Sequence, residues 1–322
     1  MSGAPTTSAV DRNQAEHEDA IATVDDPLVE VRNVTKTFPA DHHARVHAVV
    51  DVSLDIGGGE TLAVVGESGC GKSTLANLII RLHEADSGQI LLEGTDITHL
   101  GPRAMRPLRQ KMQIIFQDPF ASLDPRVRVG DAVGEPLRIQ GLAKGDDLKE
   151  RVARLFELVG LERRHIQNYP HQFSGGQRQR ICIARALSLN PKLVIADEAV
   201  SALDVSVQAQ VMNLMLQLQQ ELGLSYLFIS HDLAVVERIA HRVAVMYLGQ
   251  VVELGTREQV FRNPTHSYTK RLLDAVPIAD PRQRNERPLL TGEIPSPVWP
   301  AGTGPEIVVH SEVEPGHIVA DE

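Results

Sequence analysis

Residues 61–80 read TLAVVGESGCGKSTLANLII. An apolar run ends at Gly66, a glycine-rich turn follows, and a second apolar-patterned stretch opens at Ser73. The first run suits a strand covered on both faces, and the second suits a helix. Between them, Gly66-Glu67-Ser68-Gly69-Cys70-Gly71-Lys72-Ser73 fits G-x-x-x-x-G-K-[ST]. The glycines let backbone N–H groups turn inward around phosphate oxygens, and the helix start adds the positive end of its dipole. Lys72 is expected to reach the terminal phosphates, and Ser73 to offer an oxygen to Mg²⁺. Gly66 through Thr74 is the predicted nucleotide-binding stretch. Cys70 counts in it through its backbone, its thiol reading as a small loop residue. The competing reading is a plain glycine-rich turn, and the flanking strand and helix argue against it.

Outward from this loop, the chain of 322 residues has 42% hydrophobic content, enough for a large globular core. No apolar run approaches the roughly 18 residues of a membrane span. The N-terminal stretch shows neither the basic nor the apolar region of a secretory signal. The two cysteines, Cys70 and Cys182, form no C-x-x-C pair, so zinc and iron–sulfur sites are not expected and a reducing cytosol is. The formal charge of -10 is concentrated at the ends. Residues 1–27 hold six acids against one arginine, and residues 301–322 hold five acids and no Lys or Arg. Both ends are predicted to be disordered, solvating tails. The balanced middle gives no sign of a nucleic-acid face.

Strand patterns occur at 28–34, 48–56, 61–66, 89–94, 111–119, 192–198, 225–232 and 242–249, and two short helices are expected before Pro277. Residues 120–190 are largely helical and read as an insertion. The 204–223 stretch places Val207, Val211, Leu214, Leu218 and Leu222 on one helical face, with Gly223 as its stop. Alternating strands and helices predict an α/β fold with a mostly parallel sheet.

In such sheets ligands gather at the carboxyl ends of strands. Asp197 and Glu198 close the strand KLVIA. Alone, the pair reads equally well as a helix cap and a surface acid. Beside a phosphate loop, Asp197 reads as a Mg²⁺ ligand and Glu198 as the base that orients water. His231 follows the strand YLFIS, where an imidazole could hydrogen-bond a γ-phosphate; seen alone, it is a structural histidine. Gln117 ends another strand at the same edge, and reads either as solvent-facing or as a sensor of Mg²⁺ and water.

One stretch has no chemistry of its own: FSGGQRQR, residues 173–180. Ser174 can cap a helix, while Gly175 and Gly176 expose backbone N–H groups at its positive end. Two glycines at a helix start are costly unless something approaches closely.

The order phosphate loop, Gln117, Ser174–Gln177, Asp197–Glu198, His231 resembles the nucleotide-binding subunit of ATP-binding-cassette (ABC) transporters. FSGGQ is similar to the family signature, and SALD at 201–204 to its D-loop. The resemblance spans roughly residues 28–298. It implies a phosphate-loop ATPase core with an antiparallel β subdomain and an inserted α-helical subdomain. The implied organisation is an acidic tail over 1–27, an ATPase domain over 28–277 and a C-terminal extension over 278–322 ending in a flexible tail. It also implies ATP and Mg²⁺ as ligands, with Phe38 stacking on adenine; the alternative for Phe38 is a buried strand-end residue. Two subunits would pack head to tail, so that Ser174, Gly175, Gly176 and Gln177 of one complete the site of the other.

GESGCGKST, FQDPFASLDPR, YPHQFSGGQRQRICIARAL and NPTHSYTKRLLDAVP resemble the ATPase subunits of oligopeptide and dipeptide importers, a group that includes nickel and glutathione importers. The implied partners are a second ATPase subunit, two transmembrane permeases and an extracytoplasmic solute-binding protein, with this subunit at the cytoplasmic face of the membrane. Two departures stand out. The chain has no Cys after Cys182, so any metal or cluster role in the extension is not carried over. Ala199 stands where Pro usually follows the base, and a small backbone effect is expected. Rival readings are a soluble ABC ATPase on ribosomes or DNA, a phosphate-loop kinase and a non-hydrolysing regulator. The single cassette counts against the first, and the SGGQ helix and D-loop against the second; absence of hydrolysis in the assembled transporter would support the third.

Overall fold

The computed structural model describes residues 26–40, 44–275, 296–300 and 302–322. Its centre is strand β3 (Thr61–Val65), buried along its whole length. Side chains alternate across a strand, and here each side meets a different core. Ala63 and Val65 join Val194, Ala196, Tyr226 and Phe228 on one face. Leu62 and Val64 join Leu193, Ile195, Leu227 and Ile229 on the other. Each Val, Leu, Ile or Phe among them contributes about 1.5–3 kcal/mol on burial, which is why these strands read as unbroken apolar runs.

Two sheets carry the fold. The first pairs β1 (Val29–Pro39), β2 (Ala44–Ile56), β4 (Ser87–Leu92), β5 (Thr95–Asp96) and β11 (Val298–Pro300) in the order β11-β2-β1-β4-β5, all antiparallel. The second adds β6 (Met112–Ile115), β7 (Leu193–Asp197), β8 (Ser225–Ile229), β9 (Arg242–Tyr247), β10 (Gln250–Thr256), β12 (His310–Glu314) and β13 (His317–Ala320). Its order is β12-β13-β10-β9-β3-β8-β7-β6. Strands β9, β3, β8, β7 and β6 run parallel, so their carboxyl ends share one edge.

Helix α1 (Lys72–Ile79) leaves β3 through the glycine-rich turn, and α2 (Pro102–Leu108) precedes β6. The insertion holds α3 (Pro119–Ser122), α4 (Val129–Gln140), α5 (Gly145–Leu158) and α6 (Gly175–Leu187), with two short 3-10 turns before α6. Helix α7 (Val205–Leu222) ends at Gly223, whose φ of 64° makes it the left-handed stop. Its buried face includes Val211, Leu214 and Leu218 as expected, but Met212 and Met215 complete it. Leu222, predicted on that face, is 40% exposed at the helix end. Helices α8 (Leu233–Ile239), α9 (Arg257–Arg262) and α10 (Ser267–Asp274) follow.

The C-terminal stretch departs from expectation. Residues 301–322 were expected as a flexible acidic tail, yet β12 and β13 form a hairpin on the edge of the second sheet. His317, Ile318, Val319 and Ala320 are all buried. Their apolar burial against β10 outweighs the charge of the exposed acids around them. Strand β11 meanwhile pairs Val298 with Val46 on β2. The extension is thus woven into both sheets. The expected disorder of 1–27 and the helix-end position of Pro277 lie almost wholly outside the described residues.

Candidate active site

Gly66 and Gly71 explain the glycine spacing of the loop. Gly66 sits at φ 149°, and a Cβ there would lie 2.1 Å from the Met246 carbonyl oxygen. Gly71 sits at φ 106°, and its Cβ would lie 2.0 Å from the Ala48 carbonyl oxygen. Both contacts are with backbone, which cannot move aside cheaply. Gly66→Ala is therefore expected to cost on the order of 3 kcal/mol of stability, and denaturant unfolding without such a loss would contradict this packing. Gly69, at φ 82°, faces open space. The Lys72 ammonium donates to the carbonyls of Gly66 at 2.8 Å and Glu67 at 2.7 Å, so it sits over the mouth of the loop.

The parallel strands deliver the other groups to the same edge. Ser73 Oγ donates to Asp197 Oδ1 at 3.0 Å, linking the loop's end to the end of β7. Gln117 Nε2 donates to Glu198 Oε2 at 2.7 Å, and His231 Nδ1 lies 3.3 Å from Glu198 Oε1. Glu198 is thereby held by side chains from two neighbouring strand ends. Its φ of 46° is unusual for a side chain of its size, and its N–H is tied to the Ile229 carbonyl at 3.0 Å. Burial raises the Asp197 pKa, the Ser73 hydrogen bond opposes this, and the neighbouring Glu198 raises it further. Such a carboxyl favours a nearby cation.

The fold thus brings Lys72, Ser73, Gln117, Asp197, Glu198 and His231 to one strand edge. Phe38 lies at the end of β1, half-buried, with its ring edge-on to His83 at 5.5 Å between centroids. Lys36 Nζ sits 5.6 Å above that ring.

The Ser-Gly-Gly-Gln element caps α6. Gln177 N–H donates to Ser174 Oγ at 3.3 Å, and Ser174 N–H donates to Gln177 Oε1 at 3.0 Å. This reciprocal box is the expected role of Ser174. The two glycines, expected to act alike, differ. A Cβ on Gly176 would lie 2.3 Å from Val207 Cγ1, so this glycine lets α6 approach α7 within its own chain. A Cβ on Gly175 would meet only Leu203 Cδ2, at an ordinary 3.6 Å. Gly175 therefore has room on its Cβ side that Gly176 lacks.

A cavity of about 780 Å³ opens between this edge and the insertion, lined by Ser73, Gln117, Asp118, Pro136, Arg185 and Asp197. Sequence reasoning missed Tyr268, whose hydroxyl accepts the Glu67 N–H at 3.0 Å. Only its place within the stretch NPTHSYTKRLLDAVP was visible.

Both thiols are free and buried. Burial pushes Cys182 up to about 11 and also raises Cys70, although Lys72 lies beside the latter. At about pH 7.5 neither is expected to react with a thiol reagent until the protein unfolds. Stoichiometric labelling of the native chain would contradict their burial.

A phosphate-cradling loop, an acidic strand end facing it and a serine-capped Gly-Gly helix on a helical insertion define an ATP-binding cassette. Residues 49–201 match the ABC transporter family, and residues 252–302 match the C-terminal region of oligopeptide/dipeptide transporters. The chain is 55% identical over 302 residues to the glutathione import ATP-binding protein GsiA of Escherichia coli (strain K12), covering 92% of this chain and 48% of that protein. The same protein of Salmonella typhi matches at 55% over 302 residues with the same coverage. The chain thus spans about half the length of the curated relatives it matches. Among solved structures, the ATP-binding cassette MJ0796, in a dimeric post-hydrolysis state bound to ADP and Pi, superposes with a TM-score of 0.65 at 30% identity. That match covers 71% of this chain and 98% of MJ0796. The structure of cbiO1 from Clostridium perfringens, part of the transporter complex cbiONQ, gives a TM-score of 0.66 at 28% identity, covering 74% of this chain and 92% of cbiO1. The chain belongs to the ABC transporter family of ATP-binding cassettes, and its C-terminal region is of the oligopeptide/dipeptide type.

Proposed function

We propose that this chain hydrolyses MgATP at the interface of a head-to-tail cassette dimer and so powers import of a peptide-class solute, with glutathione and nickel importers as close variants. The observation that carries this reading is the pairing of two incomplete elements. The loop edge offers Lys72, Ser73 and the Glu198 cluster to a triphosphate. The capped start of α6, with Gly175 open, offers N–H groups to an anion from a different direction.

The oxygen donors present suit Mg²⁺, a hard cation that takes one or two protein oxygens and keeps its waters. Ser73 and Asp197 would hold it, with Gln117 beside them; it would supply charge neutralisation on the phosphates. Lys72 binds the terminal phosphates and stabilises their charge as it develops. Glu198, steered by Gln117 and His231, orients the water and takes its proton. Phe38 stacks on the base. Ser174, Gly175, Gly176 and Gln177 of the partner subunit close over the γ-phosphate.

The partners in this reading are a second ATPase subunit, two permeases and an extracytoplasmic binding protein, at the cytoplasmic face of the membrane. Among the described residues no helix is long and apolar enough to cross a membrane. The insertion exposes Ile139 in the last turn of α4 and Leu142 just beyond its end, at 62% and 42%, while Pro136 of the same helix lines the cavity that reaches Gln117. Such apolar side chains suit permease helices. The test is phosphate release by the chain reconstituted with its permeases. Solute-stimulated release supports the reading, and transfer of phosphate to a small acceptor would replace it with a kinase.

A further inference from the structure

Tyr268 touches the phosphate loop from outside the cassette's established machinery, and its contact bears on Lys72. The Glu67 N–H that it accepts belongs to the same peptide group as the Gly66 carbonyl. That carbonyl accepts from Lys72 Nζ at 2.8 Å. A peptide group is planar, so fixing its N–H fixes the direction of its C=O. Tyr268 therefore sets the orientation of one of the two carbonyls that hold the phosphate-binding ammonium. The phenol is well placed for this. It is 3% exposed, and its ring packs against Tyr247 with centroids 4.2 Å apart.

The start of α10, which carries Tyr268, is held in turn by the C-terminal hairpin. A helix start leaves N–H groups in need of acceptors. Thr265 N–H donates to Glu253 Oε1 at 2.9 Å, and His266 N–H donates to Glu253 Oε2 at 3.1 Å. Ser267 N–H donates to the Glu322 carboxylate, and Tyr268 N–H to His266 Nδ1 at 3.1 Å. Glu253 is fully buried, and His317 Nε2 from β13 lies 2.8 Å from its Oε1. Two of the groups that fix this helix start, His317 in the hairpin and Glu322 two residues past β13, therefore lie beyond the 252–302 segment that matches the transporter C-terminal region.

We propose that Tyr268 is a positioning residue for the phosphate loop, and that the C-terminal hairpin sets nucleotide affinity through it. This rests on the ATP-binding reading above.

The test uses the full chain and MgATP, with calorimetric binding, steady-state hydrolysis and thermal unfolding measured on each variant. Tyr268→Phe keeps the ring and removes the acceptor. Losing one hydrogen bond that orients Lys72 is expected to weaken MgATP binding roughly three- to tenfold. KM should rise with it while kcat changes little, because Glu198 is untouched. Glu322→Ala alters a half-exposed side chain and should fold normally. It is expected to weaken binding roughly two- to threefold in the unaltered chain and to have no further effect in the Tyr268→Phe background. Binding by Tyr268→Phe within twofold of the parent chain would overturn the proposal. An effect of Glu322→Ala that simply adds to that of Tyr268→Phe would overturn the hairpin's part in it. Absence of MgATP binding by the unaltered chain would instead overturn the ATPase reading itself.

Discussion

Glu198→Gln is expected to slow ATP hydrolysis by roughly 10²–10⁴-fold while leaving ATP binding intact. The substitution is close to isosteric, and the site can receive it. Gln117 Nε2 donates to one Glu198 oxygen at 2.7 Å, and an amide oxygen can accept that bond equally. What is lost is the carboxylate's capacity to take a proton from water. The side chain is pinned from both sides, by Gln117 and by His231 at 3.3 Å, and its backbone is fixed on Ile229. The neighbouring Asp197 is engaged instead by Ser73. Rapid-quench measurement of phosphate release, alongside equilibrium binding of ATP, checks this. Turnover close to that of the parent chain would remove Glu198 from its role.

Gly175→Asp is expected to reduce hydrolysis by about 10²-fold or more, with the protomer still folded and still binding ATP at its own loop. The two glycines of the element make this a sharp test. Adding a Cβ at Gly176 would strike Val207 within the same chain, so a loss there would report on folding. Gly175 has room for a side chain. A carboxylate in the first turn even favours an isolated helix, because it faces the positive end of the dipole. In an assembled site it would meet a γ-phosphate and repel it. Unchanged melting with hydrolysis lost is the expected pair of results. Normal hydrolysis by Gly175→Asp would mean that no phosphate approaches this helix.

Much of this was legible in the sequence because its signals are local. The strand–turn–helix around Gly66 to Ser73 carries its own context, and parallel strands place their carboxyl ends together whatever their order. Asp197, Glu198, Gln117 and His231 could therefore be grouped at one edge before any geometry was known. The contacts that sequence missed are long-range and lack periodicity. Tyr268 meets Glu67 across 201 positions of chain. The distinct duties of Gly175 and Gly176 depend on where Val207 comes to lie. The hairpin of 310–320 was hidden by net charge. The run HIVA after Pro315-Gly316 was a turn and strand signal, but the surrounding acids dominated the reading. Strand β10, at 250–256, was missed beside the stronger pattern of β9.

The most direct measurement mixes two inactive variants of this chain, Lys72→Ala and Gly175→Asp, and follows phosphate release. If each triphosphate is enclosed by one chain's loop and the other chain's helix, a mixed pair retains one intact composite site. The mixture should then hydrolyse ATP well above either variant alone. Activity no greater than that of the separate variants, in mixtures where the chains demonstrably associate, would contradict the shared site.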